Sequence, residues 1–207
     1  VSLGMDEDTI ILFTSDHGCH FKTRNGEYKR SCHEASVRVP TAFWGPGFEM
    51  GGRRREVTSL VDLVPTLLDA SGISLPEDLP GRSLMPRLRG SNEPWEQEVF
   101  FQISEDIVGR GIRTGRWKYS VTAPDKSGRD DSHSDSYLET HLYDLHSDPY
   151  ELQNLIDAES HRTLATVLRE KLLKAMERAG EDRPEIREPE SLRPLGQRSV
   201  LEEEFYL

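Results

Sequence analysis

The stretch Thr-Ile-Ile-Leu-Phe-Thr-Ser-Asp-His-Gly, residues 9–18, decides the fold of this chain. Ile10 to Phe13 form a continuous apolar run, which predicts a strand over 9–16 that is buried on both faces of a sheet. The strand ends at Asp16 and His17, and binding sites in open α/β sheets gather at the carboxyl ends of strands. An Asp carboxylate beside an imidazole can ligate a divalent metal. The sequence therefore predicts an α/β protein with part of a metal site at this strand end.

The composition is that of a polar globular chain, long enough for one or two compact domains. Of its 207 residues, 30% are charged, and the formal net charge is -11. This balance argues against nucleic-acid binding, because phosphate contacts need clustered Lys and Arg.

No apolar run approaches the ~20 residues that span a membrane. The first residues lack a basic region followed by an apolar run, so they do not form a signal peptide. Because a core strand follows Val1 so closely, we expect an upstream portion to be missing.

Two cysteines, Cys19 and Cys32, are too few for a disulfide framework. Each is followed directly by a histidine, His20 and His33, and this raises zinc as a ligand to consider. The spacing contains no C-x-x-C pair, so the sequence gives a zinc site only weak support.

Apolar spacing along the rest of the chain predicts alternating strands and helices. The stretch 18–33 is charged and without apolar period, which predicts a functional loop. Further strands are predicted over 37–44 (interrupted by Pro40), 98–103, 111–121 and 141–145. A helix is predicted over 59–70, starting near Asp62 with Pro65 in the first turn and terminated by Gly72. A second helix is predicted over 160–179, capped by Gly180. A linker is expected over 79–88, and an exposed hairpin or loop over 123–137. We expect three regions: an α/β part over 1–95, a small subdomain over 96–180 and an extended tail over 181–207.

Five motifs, in order along the chain, are similar to those of a known family. They are Thr14-Ser-Asp-His-Gly18 with Lys29 and Glu34-x-Ser-x-Arg-Val-Pro40, the segment 61–72, Gly81-Arg-Ser-Leu84, the segment 112–119 and the segment 142–155. Over residues 9–180 the chain resembles the type I sulfatases of the alkaline phosphatase superfamily. The resemblance implies the C-terminal part of an alkaline-phosphatase-like α/β sandwich. It also implies a small four-stranded antiparallel sheet packed against a C-terminal helix.

Members of this family hydrolyse sulfate esters with a formylglycine, made from a Cys or Ser in a C/S-x-P-x-R segment, beside a bound Ca²⁺. Neither Cys19 nor Cys32 lies in such a segment, no Ser does, and the family's early Asp-Asp pair is absent. The resemblance therefore implies only the C-terminal portion of a sulfatase. Such a fragment holds half a metal site and no nucleophile, so we expect it to be inactive alone. The resemblance also favours a periplasmic or secreted location.

The resemblance gives Asp16 and His17 the role of metal ligands, and Ca²⁺ suits the carboxylate oxygens of Asp16. An imidazole is a less usual ligand for Ca²⁺. His17 is therefore open to a second role, a hydrogen bond to the sulfate or to formylglycine. Without a metal, Asp16 would simply cap the turn after the strand.

Lys29 matches the lysine that binds sulfate and acts in catalysis. A cation near the ester oxygens lowers the barrier as negative charge builds on the leaving group. Lys22 or Arg30 would take this role if the register shifted, and Lys29 would then be a solvated loop residue.

The same loop offers three further candidates. We expect His20 and Arg24 to bind substrate, and His33 to act as a catalytic acid near the leaving oxygen. The alternative for this loop is a solvated, charged surface.

The leading interpretation is a sulfuric ester hydrolase (a sulfatase) that acts on a sulfated small molecule or glycan, most simply a sulfated carbohydrate. A phosphodiesterase or phosphonate hydrolase of the same superfamily is the second interpretation, and a noncatalytic truncated remnant is the third. The absence of a further His-rich metal motif downstream favours the sulfatase. No nucleic-acid partner is expected, and the oligomeric state is left open.

Overall fold

Two sheets organise the structure, a computed structural model that describes residues 2–194 and 196–207. The first sheet pairs β1 (Ile11–Phe13) with β2 (Ala42–Trp44) in antiparallel orientation. The second has five strands in the order β3 (Glu98–Ile103), β4 (Val108–Thr114), β5 (Trp117–Ala123), β6 (Ser136–Asp144) and β7 (Glu185–Arg187). Strands β3 to β6 are antiparallel to their neighbours, and β7 is parallel to β6. The predicted small antiparallel sheet is therefore present, with one parallel strand added.

The first strand is shorter and more exposed than predicted. Within the described part of the chain, β1 has β2 as its one neighbour, with Leu12 opposite Phe43. Ile11 is 54% exposed and Phe13 is 64% exposed. The expectation of burial on both faces is thus wrong for this chain, because no second layer among the described residues covers the strand.

The strand predicted over 37–44 is wrong in its first half. Glu34–Val37 form a single helical turn, α1, in which the Arg38 N–H donates to the Glu34 carbonyl oxygen (2.9 Å). Pro40 has no N–H to offer a ladder, so β2 begins only after it. The linker expected over 79–88 also holds a short helix, α3 (Met85–Leu88).

The helix predicted over 59–70 is confirmed as α2 (Leu63–Ala70), preceded by a 3-10 turn at Leu60–Asp62. Pro65 lies in its first turn, where the missing N–H would have no helical partner. Gly72 adopts a φ of +72°, and this left-handed residue ends the helix as predicted.

The strand predicted over 111–121 is a hairpin instead. Strands β4 and β5 pair with Ile112 opposite Tyr119. The turn between them is closed by Thr114, whose Oγ1 accepts a hydrogen bond from the Trp117 N–H (3.0 Å). Apolar and polar residues alternate on both sides of the turn, so the pattern does not reveal the reversal.

The main core lies between this sheet and α4 (Arg162–Arg178), which confirms the predicted C-terminal helix. The helix buries a stripe with helical spacing, made of Leu164, Leu168, Leu172 and Met176. Against the stripe pack Ile112, Trp117 and Tyr119 of the hairpin. Gly180 follows the helix with a φ of +82° and caps it as predicted.

The region predicted as an extended tail packs on the sheet instead. Its β7 pairs with β6, with Ile186 opposite Tyr137, and β6 itself begins inside the expected loop. Phe205 is buried, and the Trp117 indole N–H donates to the Glu204 carbonyl oxygen (2.6 Å). Ile186 and Phe205 lie in a charged stretch that shows no apolar periodicity. The sequence pattern therefore gives no sign of this packing.

A buried ion cluster joins the site-bearing segment to the sheet. Lys118 of β5 is fully buried, and its Nζ lies 2.7 Å from both Glu34 Oε1 and Glu151 Oε1. Glu151 Oε2 also accepts the Glu34 backbone N–H (2.7 Å). Burial opposes the ionisation of Glu34, but Lys118 outweighs it, so that the pKa of Glu34 lies below its ordinary value.

In the part of the chain that the structure describes, no helix combines the length and the apolar character that crossing a membrane requires.

Substitution of Lys118 by Met should lower the free energy of unfolding by about 3–5 kcal/mol, because two buried carboxylates lose their counter-charge. The matched control is Lys126→Met, which removes a surface ion pair with Asp131 at 3.6 Å. That control should cost less than about 1 kcal/mol. Urea unfolding of the two variants measures the difference. Equal midpoints for both would contradict the role given to Lys118.

Candidate functional site

The turn after β1 holds Asp16, whose side chain is 81% exposed. Its Oδ1 accepts hydrogen bonds from the His17 backbone N–H (3.0 Å) and the Ser15 hydroxyl (3.3 Å). The bond from the His17 N–H is the main reason that the pKa of Asp16 lies below its ordinary value. An ionised carboxylate therefore stands exposed at the end of the strand.

Lys29 lies beside this turn and contacts His17. Its Nζ is 3.0 Å from His17 Nε2, and the same Nε2 is 3.3 Å from Asp16 Oδ2. His17 Nδ1 lies 2.8 Å from the Gly18 carbonyl oxygen, which only accepts, so Nδ1 carries the proton. Nε2 is then left with a lone pair and accepts a hydrogen bond from the Lys29 ammonium group. His17 thus lies between a carboxylate and a cation.

Lys29 and Arg30 have different contacts, which bears on which of them takes the sulfate-binding role. The Arg30 guanidinium binds Glu27 Oε2 (2.7 Å) and Glu105 Oε2 (2.6 Å), so it is already paired. The Lys29 ammonium group instead lies over the Tyr28 ring, 5.7 Å from its centroid. Sequence reasoning singled out neither Tyr28 nor Glu105. Glu105 lies far along the chain, between β3 and β4, and no local signal points to it.

Gly18 allows the start of the loop to pack closely against the backbone of α1. Its N–H donates to the Ser36 carbonyl oxygen (2.8 Å), and a Cβ at position 18 would lie 2.1 Å from the Ala35 carbonyl oxygen. Further along, the His20 N–H donates to the Tyr28 carbonyl oxygen (2.8 Å). The loop is thus folded back on itself, and this brings Lys29 next to His17.

Of the predicted substrate-binding residues, Lys29 lies beside His17, whereas His20 is buried and Arg24 is half-buried. His20 is 2% exposed, and neither of its ring nitrogens has a hydrogen-bond partner. Arg24 donates from Nη1 to the Glu151 carbonyl oxygen (2.8 Å) and from Nη2 to the Tyr150 carbonyl oxygen. In this arrangement Arg24 joins the loop to the segment after β6.

His33, the predicted catalytic acid, is 6% exposed and packs among residues of β6. Its Nε2 lies 3.1 Å from the Tyr143 hydroxyl, and its ring centroid is 5.4 Å from that of His141. Burial lowers the pKa of His33 to about 3, and it lowers that of His141 to about 4. Both imidazoles are therefore neutral at pH 7. Their meeting depends on the fold, because they lie far apart in the sequence.

Asp16 and His17 fit half of a Ca²⁺ site. Calcium takes about six to eight ligands, mostly oxygens, and the Asp16 carboxylate is such a ligand. The unprotonated Nε2 of His17 is a less usual one. Over residues 2–194 and 196–207, the single group of three or more closely placed metal-binding side chains lies elsewhere, at Cys32, His33 and His141. Further oxygen ligands would have to complete a Ca²⁺ site here.

Known proteins are similar to most of this chain. A family model described as "N-sulphoglucosamine sulphohydrolase, C-terminal" matches residues 26–178. Arylsulfatase K of Homo sapiens is 34% identical over 163 residues, which cover 74% of this chain and 28% of that protein. The choline-sulfatase of Rhizobium meliloti (strain 1021) is 38% identical over 159 residues, with the same shares covered. The chain thus spans less than a third of the length of these curated relatives.

The solved structure of a 2-O GAG sulfatase has a TM-score of 0.70 to this structure and 27% sequence identity. The match covers 84% of this chain and 37% of that chain. The predicted α/β fold class, with its small antiparallel sheet and C-terminal helix, is confirmed. Because the family model matches well over half of the residues, the chain belongs to the sulfatase family and corresponds to its C-terminal portion.

Proposed function

We propose that this chain acts as the C-terminal portion of a sulfuric ester hydrolase and supplies one side of its active site. One observation carries the proposal: Lys29 Nζ, His17 Nε2 and Asp16 Oδ2 contact one another in sequence, at 3.0 and 3.3 Å, after β1. An anionic ester needs a cation near its oxygens, and a metal needs an ionised carboxylate. The turn offers both within a few ångströms.

Asp16 and His17 are the residues of this chain that would hold Ca²⁺, which when bound would polarise an oxygen of the sulfate as a Lewis acid. Lys29 would stabilise the negative charge that develops on the ester oxygens as the sulfur–oxygen bond breaks. When Nε2 holds no metal, His17 contacts Lys29 through that atom, and the Gly18 carbonyl oxygen fixes the ring in either case. The formylglycine expected from the family resemblance would come from a C/S-x-P-x-R segment, which the 207 residues do not contain.

The substrate-binding roles of His20 and Arg24 and the acid role of His33 stay predictions. The burial of the two imidazoles favours supporting roles for them. Arg24 uses its guanidinium to bind two backbone carbonyl oxygens, which favours a role in holding the loop.

The substrate we infer is a sulfated carbohydrate. One structural relative is a 2-O GAG sulfatase, and this supports a sulfated glycan. A choline-sulfatase of similar identity is named for a small sulfate ester, so the shared chemistry is the sulfate group itself. A periplasmic or secreted location also remains our proposal and rests on the family resemblance.

Substitution of Asp16 by Asn, in the intact protein that contains this chain, should reduce Ca²⁺-dependent hydrolysis of a sulfated disaccharide by about 10²-fold or more. Asn keeps the shape but removes the charge that holds the metal. Asp182→Asn, exposed beyond α4, is the matched control and should keep full activity. Turnover is measured by sulfate release at several Ca²⁺ concentrations. Undiminished activity of Asp16→Asn would disprove the metal assignment, and faster cleavage of a phosphate diester than of the sulfate ester would favour the phosphodiesterase.

Lys29→Met should lower kcat by about 10²–10³-fold in the same assay, because the developing charge loses its cation. Lys22→Met is the matched control, since Lys22 is an exposed lysine of the same loop. It should stay within about threefold of the parent protein, as expected for a surface charge. A larger loss for Lys22→Met than for Lys29→Met would move the role to Lys22.

A further inference from the structure

A buried group of metal-binding side chains lies where the end of the loop meets β6. It consists of Cys32, His33 and His141, and each offers a donor atom within 4.8 Å of the donor atoms of the other two. Cys32 and His33 are buried, and His141 is partly buried. Nothing in the site proposed for sulfate hydrolysis uses these three residues together.

The hydrogen bonds leave one nitrogen of each ring for a further ligand. His33 Nε2 lies 3.1 Å from the Tyr143 hydroxyl, and its buried Nδ1 has no hydrogen-bond partner. His141 Nδ1 lies 3.1 Å from the Ser120 hydroxyl. Histidines that bind metals usually hold their second nitrogen in this way, which fixes the ring and its tautomer.

The backbone explains why these side chains meet. His141 and Tyr143 are two residues apart on β6, so they project from the same face of the sheet. Ser120 is the partner of His141 on β5. Cys32 and His33 immediately precede α1, whose Glu34 is held to the sheet by the buried Lys118. The group is thus set between two anchored elements.

The surroundings contain a second unsatisfied imidazole. His20 is buried, lacks partners on both ring nitrogens, and lies close enough to His33 to interact with it electrostatically. Buried polar groups in native proteins nearly always have a partner. The unpartnered nitrogens of His20 and His33 therefore make this region a candidate for ligand binding.

We propose that Cys32, His33 and His141 bind a zinc ion that fastens the active-site loop to the small sheet. A thiolate and two neutral imidazoles are soft and borderline ligands, which suit zinc and do not suit Ca²⁺. Around zinc, with bonds of about 2.0–2.3 Å, the donor atoms would approach one another by about 1 Å. This inference concerns a site apart from Asp16 and His17 and stands whether or not the proposed hydrolysis is correct.

Metal titration of the intact protein that contains this chain tests the proposal. Chelator-treated protein is incubated with ZnCl₂ and gel-filtered, and its zinc is measured by mass spectrometry. Co²⁺ is added in a parallel sample, since a thiolate bound to cobalt gives a charge-transfer band in the near ultraviolet. We expect one metal per chain and the thiolate band. Cys32→Ser should remove the band, and Cys19→Ser, the matched cysteine control, should keep it.

His141→Ala provides a second variant, because His141 is only partly buried and its loss is less harmful to folding than a change at Cys32. It should weaken zinc binding by about tenfold or more while its circular dichroism spectrum stays unchanged. Asp16→Asn should bind zinc and cobalt like the parent chain. Absence of stoichiometric zinc in the parent, a cobalt complex without the thiolate band, or loss of zinc in Asp16→Asn would each overturn the proposal.

Discussion

The contact of Lys118 with Glu34 and Glu151 is the constraint on which the rest of the structure depends. It joins three parts of the chain: the hairpin strand β5, the helical turn α1 after the loop over 18–33, and the segment after β6. A lysine without exposure to water is tolerable only beside opposite charge. The cluster therefore fixes the distance between the loop and the sheet. The positions of the Lys29 contact and of the Cys32–His33–His141 group depend on that distance.

At the candidate site, hydrogen bonding fixes the orientation of the His17 ring. The Gly18 carbonyl oxygen takes the Nδ1 proton, which leaves Nε2 as an acceptor for Lys29. A protonated ring would place two cations 3.0 Å apart, an arrangement that Coulomb repulsion disfavours. The single lone pair of Nε2 can serve Lys29 or a metal ion, but not both at once, so a metal bound by His17 would replace the contact with Lys29.

The sequence predicted those features that depend on residues close together in the chain. The ends of α2 and α4 followed from Pro65, Gly72 and Gly180, because proline and glycine act on their own backbone. The pairing of Asp16, His17 and Lys29 followed from family motifs. The turn between β4 and β5 and the packing of Phe205 depend on contacts between distant residues, and no periodicity marks them.

The ion cluster and the histidine group illustrate the same limit. In a strand of alternating character, Lys118 reads as an exposed residue, and only the fold shows it buried between carboxylates. Likewise His141 is an ordinary strand residue until the loop places Cys32 and His33 beside it. Spacing in the sequence argued against a zinc site because the third ligand is remote.

Gly18 lies where two backbones meet without space for a side chain. A methyl group there would push against the Ala35 carbonyl oxygen, and that peptide belongs to the same turn as Glu34. Selection acting on this chain would therefore find position 18 nearly closed to variation, even though the glycine is not among the residues proposed to bind metal or sulfate. In a saturation mutagenesis library, Gly18 should tolerate as few substitutions as a catalytic residue does. Its low tolerance would come from the lack of room for a side chain and not from a role in the reaction.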